Sequence, residues 1–448
     1  MNSTISLDSI NCTLNPADSV WVGFSSILTM IMSPAVGFVY AGLVSPGAIG
    51  SMLGFCFSIF SLITILWVII GYSLVYGNSL GGFIGDMTYA GLAHLTDFKS
   101  KCIGQFGINK CVEYHHYWES CGIPEILVMF FQAKFAAITP VLLLGSISER
   151  MILHYNLIFL TIWTLCIYCP IAHWVWNESG FLAGLGVKDF AGGLVVHQTS
   201  GYGALVTSIF LGKRKTYGKC PEVSNFPTVI LGTTLLWFGW FGFNGGSSFS
   251  MNKIGVIAIV NTNISASAAL LIWIIIDYLV YKRITALGLA MGVISGLIAI
   301  TPCAGYVDPR FSILIGAVAA GLCWIGISVR KRFHLYDDLD VFTCHGICGT
   351  WGTICVGLFA SKEINPLIAN NGLFLALGIP DENKYLIVYQ IIACFVVIFY
   401  TLFVTYFILL VMKFFCKFTA TKDEEVQYDH INFFDEFRNK KINVEVIR

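Results

Sequence analysis

Charge is what this chain lacks. Only 12% of its 448 residues are Asp, Glu, Lys or Arg, about half the share of an ordinary globular protein. A water-soluble fold of this size could not cover its surface with so few charges, so a string of soluble domains is excluded. The charges present also balance, 26 basic against 26 acidic, which leaves no basic surplus for a nucleic acid. The amino-terminal segment lacks the basic stretch that opens a secretory signal. Residues 1–19 are polar, and the first apolar run, Trp21 to Val44, reads as a true span.

In place of charge stand apolar stretches, and 56% of the chain is hydrophobic. Runs of about twenty apolar residues recur along nearly the whole length, the pattern of membrane-spanning helices. Eleven are read, at roughly 20–44, 50–77, 124–147, 153–175, 191–211, 227–247, 255–281, 284–304, 311–329, 341–360 and 386–416. An odd number puts the termini on opposite sides. With the N-terminus outside, 17 of the 26 Lys and Arg fall on the cytoplasmic side and 8 outside, with Lys134 inside a span. The positive-inside rule selects that orientation. The expected fold is therefore an all-α polytopic membrane protein. Residues 1–19 form an extracellular segment, 20–416 the membrane domain and 417–448 a cytoplasmic tail.

The exterior segments carry their own signals. Asn2, Asn11 and Asn177 each open a glycosylation sequon. Most of the fifteen cysteines lie in apolar runs, where a thiol is a small hydrophobe. Cys12, Cys102, Cys111 and Cys121 instead sit in polar exterior segments, where up to two disulfides are expected.

Spans 1–5 and 6–10 are equal in number, and five is odd, so the second set runs opposite to the first. This is the form of an inverted 5+5 repeat plus one extra helix, with a site near mid-membrane between the halves. The last span of each half holds a histidine: His197 in one, His345 in the other. Each span opens on an aspartate, Asp189 or Asp340, a suitable helix N-cap. His197 lies about 12 Å along the helix from Asp189, and His345 about 7–8 Å from Asp340, entering from the other face. Polar residues at such depth are expensive and usually line a pathway. Glycines flank both histidines, which lets the two helices approach closely. Cys344, His345 and Cys348 lie close in sequence, but the other half has no matching cysteines. No metal, cofactor or enzymatic chemistry is expected.

These segments resemble the ammonium transporter family. The resemblance rests on Ala-Ala-Ile-Thr-Pro-Val-Leu-Leu-Leu-Gly-Ser-Ile-Ser-Glu-Arg-Met over 136–151, Asp189-Phe-Ala-Gly-Gly with Val-Val-His197, Trp240-Phe-Gly-Phe-Asn-Gly-Gly-Ser247, Val260-Asn-Thr-Asn263 and Asp340-Val-Phe-Thr-Cys-His345-Gly. It runs from about residue 20 to 415. It implies ammonium or ammonia as substrate, with methylammonium as a related one, and a homotrimer in the plasma membrane. It further implies Trp176, Ser247, Asp189 and Ala191 as substrate-binding residues, the first two in an outer vestibule, a gate of Phe135 and Phe243, and a pore histidine pair in His197 and His345; Asp189 is read as acting mainly through structure and charge, ordering the backbone near Ala191. An aromatic face attracts a cation by roughly 0.5–2 kcal/mol, and a hydroxyl oxygen accepts an N–H that potassium does not have. An apolar stretch then favours passing neutral ammonia over a full charge. Electrogenic ammonium uptake leads. An electroneutral Rhesus-type channel for ammonia or carbon dioxide, and an ammonium sensor, stand as alternatives.

Two features depart from the family pattern. Lys134 lies in the third span beside a gate phenylalanine, and is expected to snorkel or to meet a polar partner at a helix interface. In the tail, Gln427 stands where a glycine is usual, which puts coupling between subunits and a cytoplasmic regulatory partner in doubt.

Overall fold

The computed structural model describes residues 14–95, 122–214, 224–377, 379, 383–421, 425 and 428. Cys12, Cys102, Cys111 and Cys121, the sequons at Asn2 and Asn11, and most of the tail lie outside the described residues.

The main helical stretches among the described residues are α1 (Pro16–Ala41), α2 (Pro46–Tyr76), α3 (Glu125–Ile147), α4 (153–176), α5 (193–211), α6 (Phe226–Gly246), α7 (Lys253–Tyr281), α8 (Ala286–Ile300), α9 (Pro309–Arg332), α10 (Phe342–Phe359) and α11 (Leu386–Phe415). Nine of the described helical segments are long and apolar enough to cross a membrane. The α5 and α8 stretches, which occupy the places of the fifth and eighth expected spans, do not reach that measure. The only paired strands among the described residues are β1 (Ser79–Leu80) and β2 (Ile84–Gly85), a small antiparallel hairpin. Beside it, hydrogen bonds from Thr88 and Asn78 hold the Asp86 carboxyl down to about 2.

Why so apolar a helix still takes one orientation is plain in α11. Phe395, Phe399, Phe403 and Phe407, four residues apart, are 57–72% exposed, while Ala393, Val397, Thr401, Thr405 and Leu409 are wholly buried. Residues four apart share a helix face. One face meets the other helices through small and β-branched side chains, and the other presents bulky phenylalanines outward. Both faces suit lipid, so shape rather than polarity decides which turns inward.

Four helices contain π turns, at Trp67–Gly71, Thr164–Tyr168, Gly193–Gln198 and Phe342–Ile347. The last two hold His197 and His345. Their helices cross at glycine. A Cβ on Gly201 would lie 2.0 Å from the backbone nitrogen of Gly346, so α5 and α10 touch backbone to backbone.

Charged side chains gather at one end. Arg214 pairs with Glu149 at 2.7 Å and Asp338 at 2.8 Å, and Arg150 donates to the carbonyls of Gly212 and Tyr336. The start of the tail lies on this knot. Met151 bridges Thr419, Ala420 N–H donates to the Arg150 carbonyl, and the Tyr428 hydroxyl donates to the Met151 carbonyl.

Three expectations change. Asn177 does not present a free amide for a glycan: its Nδ2 donates to the carbonyls of Val75 and Gly77, and its Oδ1 accepts from Ser179 N–H. Lys134 is buried, and among the described residues its Nζ is placed against aromatic rings and not against a polar group. It is 3% exposed, with Nζ 3.8 Å from the Phe130 ring centroid and 5.7 Å from that of Phe60. An aromatic face offers a buried ammonium partial compensation. Asp340 does not cap α10. Asp337 does so, accepting from Phe342 N–H at 2.6 Å, while Asp340 pairs with Arg330 at 2.6 Å.

Candidate functional site

The site begins on α3 and α6. Phe131 and Phe135 are one turn apart on α3 and meet edge to face at 5.0 Å. Trp240, Phe243 and Ser247 follow at helical spacing at the end of α6. Where the two helices meet, Phe135 and Phe243 stack with centroids 4.1 Å apart and planes 25° from parallel. Both rings are wholly buried. Trp176, the last residue of α4, stands over Phe135 at 5.9 Å, nearly perpendicular. Its indole N–H donates to the Asp189 carbonyl.

Ser247 sits at the C-terminus of α6. Its hydroxyl donates to the Phe243 carbonyl at 2.8 Å, so the lone pairs of the oxygen remain to accept. The helix end adds a partial negative charge that favours a cation by about 0.3–1 kcal/mol. The neighbouring motif residues work on the scaffold. Asn244 donates to Thr262, and Asn261 donates to the carbonyls of Ala304 and Val307, which ties α6, α7 and the loop after α8 together.

Asp189 does not line the aromatic path. One carboxylate oxygen accepts from Gly192 and Gly193 N–H and the other from Leu194 and Val195 N–H, at 2.7–3.3 Å. It closes the start of α5, where four N–H groups would otherwise be orphaned. Gly192 makes the turn at φ 118°, which a side chain rarely adopts. Ala191, 1% exposed, lies inside this turn.

Beyond the stacked phenylalanines a narrow cavity opens, lined among others by Val36, Ile138, Leu142, Trp240, His197 and His345. Its lining is apolar in effect, because the Trp240 indole donates to Thr301 and the Tyr40 hydroxyl to the Leu142 carbonyl. His197 lies flat on Trp240, with centroids 5.6 Å apart, and 6.4 Å from Phe243. The Nδ1 atoms of His197 and His345 are 3.1 Å apart. One must then carry the proton and the other accept it, so the Nε2 atoms differ too, one an acceptor and one a donor. His197 Nε2 is buried with no hydrogen-bond partner.

A third buried histidine shows that depth alone is not the signal. His173 in α4 is 0% exposed, but Nδ1 meets the Val75 carbonyl at 2.7 Å and Nε2 the Ser79 hydroxyl at 2.8 Å. It is fully used in holding the hairpin.

Of the sequence-derived residues, Trp176, Phe135, Phe243, His197 and His345 form one continuous line, Ser247 sits one turn beyond Phe243, and Asp189 and Ala191 lie beside it. The reading missed Phe131, Trp240 and Phe249. Spacing of four from Phe135 could have found Phe131. Nothing in the sequence sets Trp240 against His197, or turns Phe249 (φ 53°) onto Phe131 at 5.9 Å.

The profile described as the Ammonium Transporter Family matches residues 20–438. An ammonium transporter of Bacillus subtilis is 38% identical over 411 residues, 91% of this chain and 95% of that protein. The ammonium transporter MEP2 of Saccharomyces cerevisiae is 34% identical over 364 residues, 80% of this chain and 69% of that protein. The crystal structure of Saccharomyces cerevisiae Mep2 superposes with a TM-score of 0.81 at 31% identity, covering 93% of this chain and 90% of that one.

Proposed function

The chain belongs to the ammonium transporter family, is a multi-pass membrane protein that transports ammonium, and on that premise we propose how it does so. Ammonium is held outside the Phe135–Phe243 stack, by the Trp176 face and the Ser247 oxygen. It gives up a proton there, and ammonia passes the stack into the cavity beside the histidines. The proton follows through the His197–His345 contact, so that net charge crosses.

One observation carries this reading. A buried histidine nitrogen without a partner costs about 1–3 kcal/mol, and His197 Nε2 stands so at the wall of an otherwise apolar cavity. His173, equally buried, is satisfied at both nitrogens. The orphaned Nε2, with its opposite number on His345, offers ammonia one acceptor and one donor. The shared Nδ1 proton supports a relay: as one Nε2 takes up a proton, the Nδ1 proton crosses 3.1 Å and the other ring releases its Nε2 proton, which exchanges the two roles.

The remaining architecture is read in the same way. We take α5 and α8 as spans, which makes eleven, with the N-terminus outside, an inverted repeat relating α1–α5 to α6–α10, and a homotrimer in the plasma membrane. The relatives are ammonium transporters, and the Rhesus-type alternative is not favoured.

The test is ammonium uptake together with current, in cells lacking their own transport. Uptake with inward current, both lost in His197→Ala, is expected. Full uptake without current refutes the coupled proton, and undiminished, ammonium-selective uptake in His197→Ala refutes the site.

A further inference from the structure

The outer end of α1 grips the chain on both sides of Ser247. Trp21 donates its indole N–H to the carbonyl of Gly245, two residues before Ser247, at 3.2 Å. Asp18 lies three residues before Trp21, on the same face of α1, and reaches the other side. Its Oδ1 accepts from the Ser250 hydroxyl at 2.7 Å and from Met251 N–H at 3.2 Å. The Asp18 side chain is itself buried.

The two grips do different work. Before Ser247 the chain has no slack. A Cβ on Gly245 would lie 3.0 Å from the Trp21 ring, and one on Gly246 would lie 2.5 Å from Ser25 Cβ and 2.8 Å from the Phe131 ring. The last turn of α6 is therefore pinned by packing between α1 and α3. After Ser247 the chain leaves the helix and does not enter α7 until Lys253. Within this turn Phe249 takes φ 53°, a backbone region that side chains seldom adopt. Among the described residues, the other hydrogen bonds of Ser248, Phe249, Ser250 and Met251 stay within residues 245–251. Asp18 is what ties the turn to another helix.

We propose that Asp18 is a positioning residue for cation capture. By anchoring Ser250 and Met251 to α1 it fixes the exit from α6. That exit sets the direction of the Ser247 lone pairs and the place of Phe249 against Phe131. A hydrogen bond weakens steeply as it bends, so a loosened Ser247 accepts poorly from ammonium. The inference rests on the reading of Ser247 as an acceptor for the cation. Asp18 acts through the turn and not as a charge at the cation.

The test is ammonium uptake against concentration in cells lacking their own transport, with the full chain. Asp18→Ala should raise KM by about three- to tenfold with the maximal rate within about twofold, the pattern of lost binding in the ground state. Asp18→Asn keeps an oxygen acceptor in place, and its KM should stay within about twofold of wild type. Asp18→Ala combined with Ser247→Ala should raise KM no further than Ser247→Ala alone, as coupled residues do. Ser250→Ala, which removes the shorter of the two bonds, should raise KM by about two- to threefold. It carries the test if Asp18→Ala accumulates poorly, and an unchanged KM in it overturns the role. Equal rises in Asp18→Asn and Asp18→Ala overturn positioning in favour of charge, and additive rises in the double variant overturn the route through Ser247. A fall in maximal rate at unchanged KM marks general damage to the fold and also overturns it. Wild-type KM in Ser247→Ala refutes the cation site itself, whereas a rise there with none in Asp18→Ala refutes only the positioning role.

Discussion

The two histidine-bearing segments use one device with two anchors. In α5 and in α10 a histidine sits inside a six-residue π turn, a feature concentrated at functional sites, and a glycine nearby lets the backbones touch. The anchors differ. Asp189 accepts four backbone N–H bonds and has no ion pair among the described residues. Asp340 is paired with Arg330, and the capping falls to Asp337. The α5 anchor thus has no counter-charge among the described residues, beside the Trp176 end of the path, whereas Asp340 is paired with a guanidinium.

The sharpest way to break this comparison is to remove the two anchors. Asp189→Ala leaves four buried N–H groups without an acceptor, each costing about 1–3 kcal/mol. Transport and accumulation should both collapse, as read by uptake and by immunoblot of membranes. Arg330→Met alone should cost about 3–5 kcal/mol by stranding a buried carboxylate, while Arg330→Met with Asp340→Asn should recover most of it. Comparable loss in that double variant and in Asp189→Ala would remove the distinction.

A smaller effect separates the histidines. His197 stacks on Trp240 and lies against Phe243, and no aromatic stack other than His197 itself holds His345 among the described residues. Uptake should fall by about ten- to a hundredfold in His197→Ala, the scale of a lost hydrogen bond to a charged group, and by less in His345→Ala. The helix crossing is unequal too. Gly201→Ala drives a Cβ into backbone and should cost about 1–3 kcal/mol in thermal unfolding. Gly346→Ala, whose Cβ would meet the Phe342 ring at 3.0 Å, should cost less.

At the outer end, Ser247→Ala should raise KM for ammonium by no more than about tenfold, with kcat little changed, because it removes one acceptor from a cation bound mainly by aromatic faces. Smallest of all is Lys134→Met. Its ammonium is directed to Phe130 and Phe60, so uptake should change by about twofold at most, the scale of one cation–π contact. A large gain would mean that its charge reaches the path.

How much could be read in advance divides along the same line. The long apolar runs, the aromatics at helical spacing and the Asp189, His197 and His345 positions were legible, because each is a pattern within one continuous stretch of chain. The partner of Asp340 was not, since Asp337, Asp338 and Asp340 are chemically alike and only the placement of Arg330 on α9 tells them apart. Nor was the fate of Asn177. A sequon is three residues long, and its amide is consumed by carbonyls about a hundred residues earlier.

By itself, the sequence determined a membrane-embedded helical chain with two histidine segments and an aromatic approach, because burial without charge and helix periodicity are properties of short stretches. Only the tertiary structure decided which polar atoms stay unsatisfied. Whether a buried histidine is a strut, like His173, or offers a free nitrogen, like His197, depends on what other helices bring within about 3 Å of its ring, and no local pattern contains that distance.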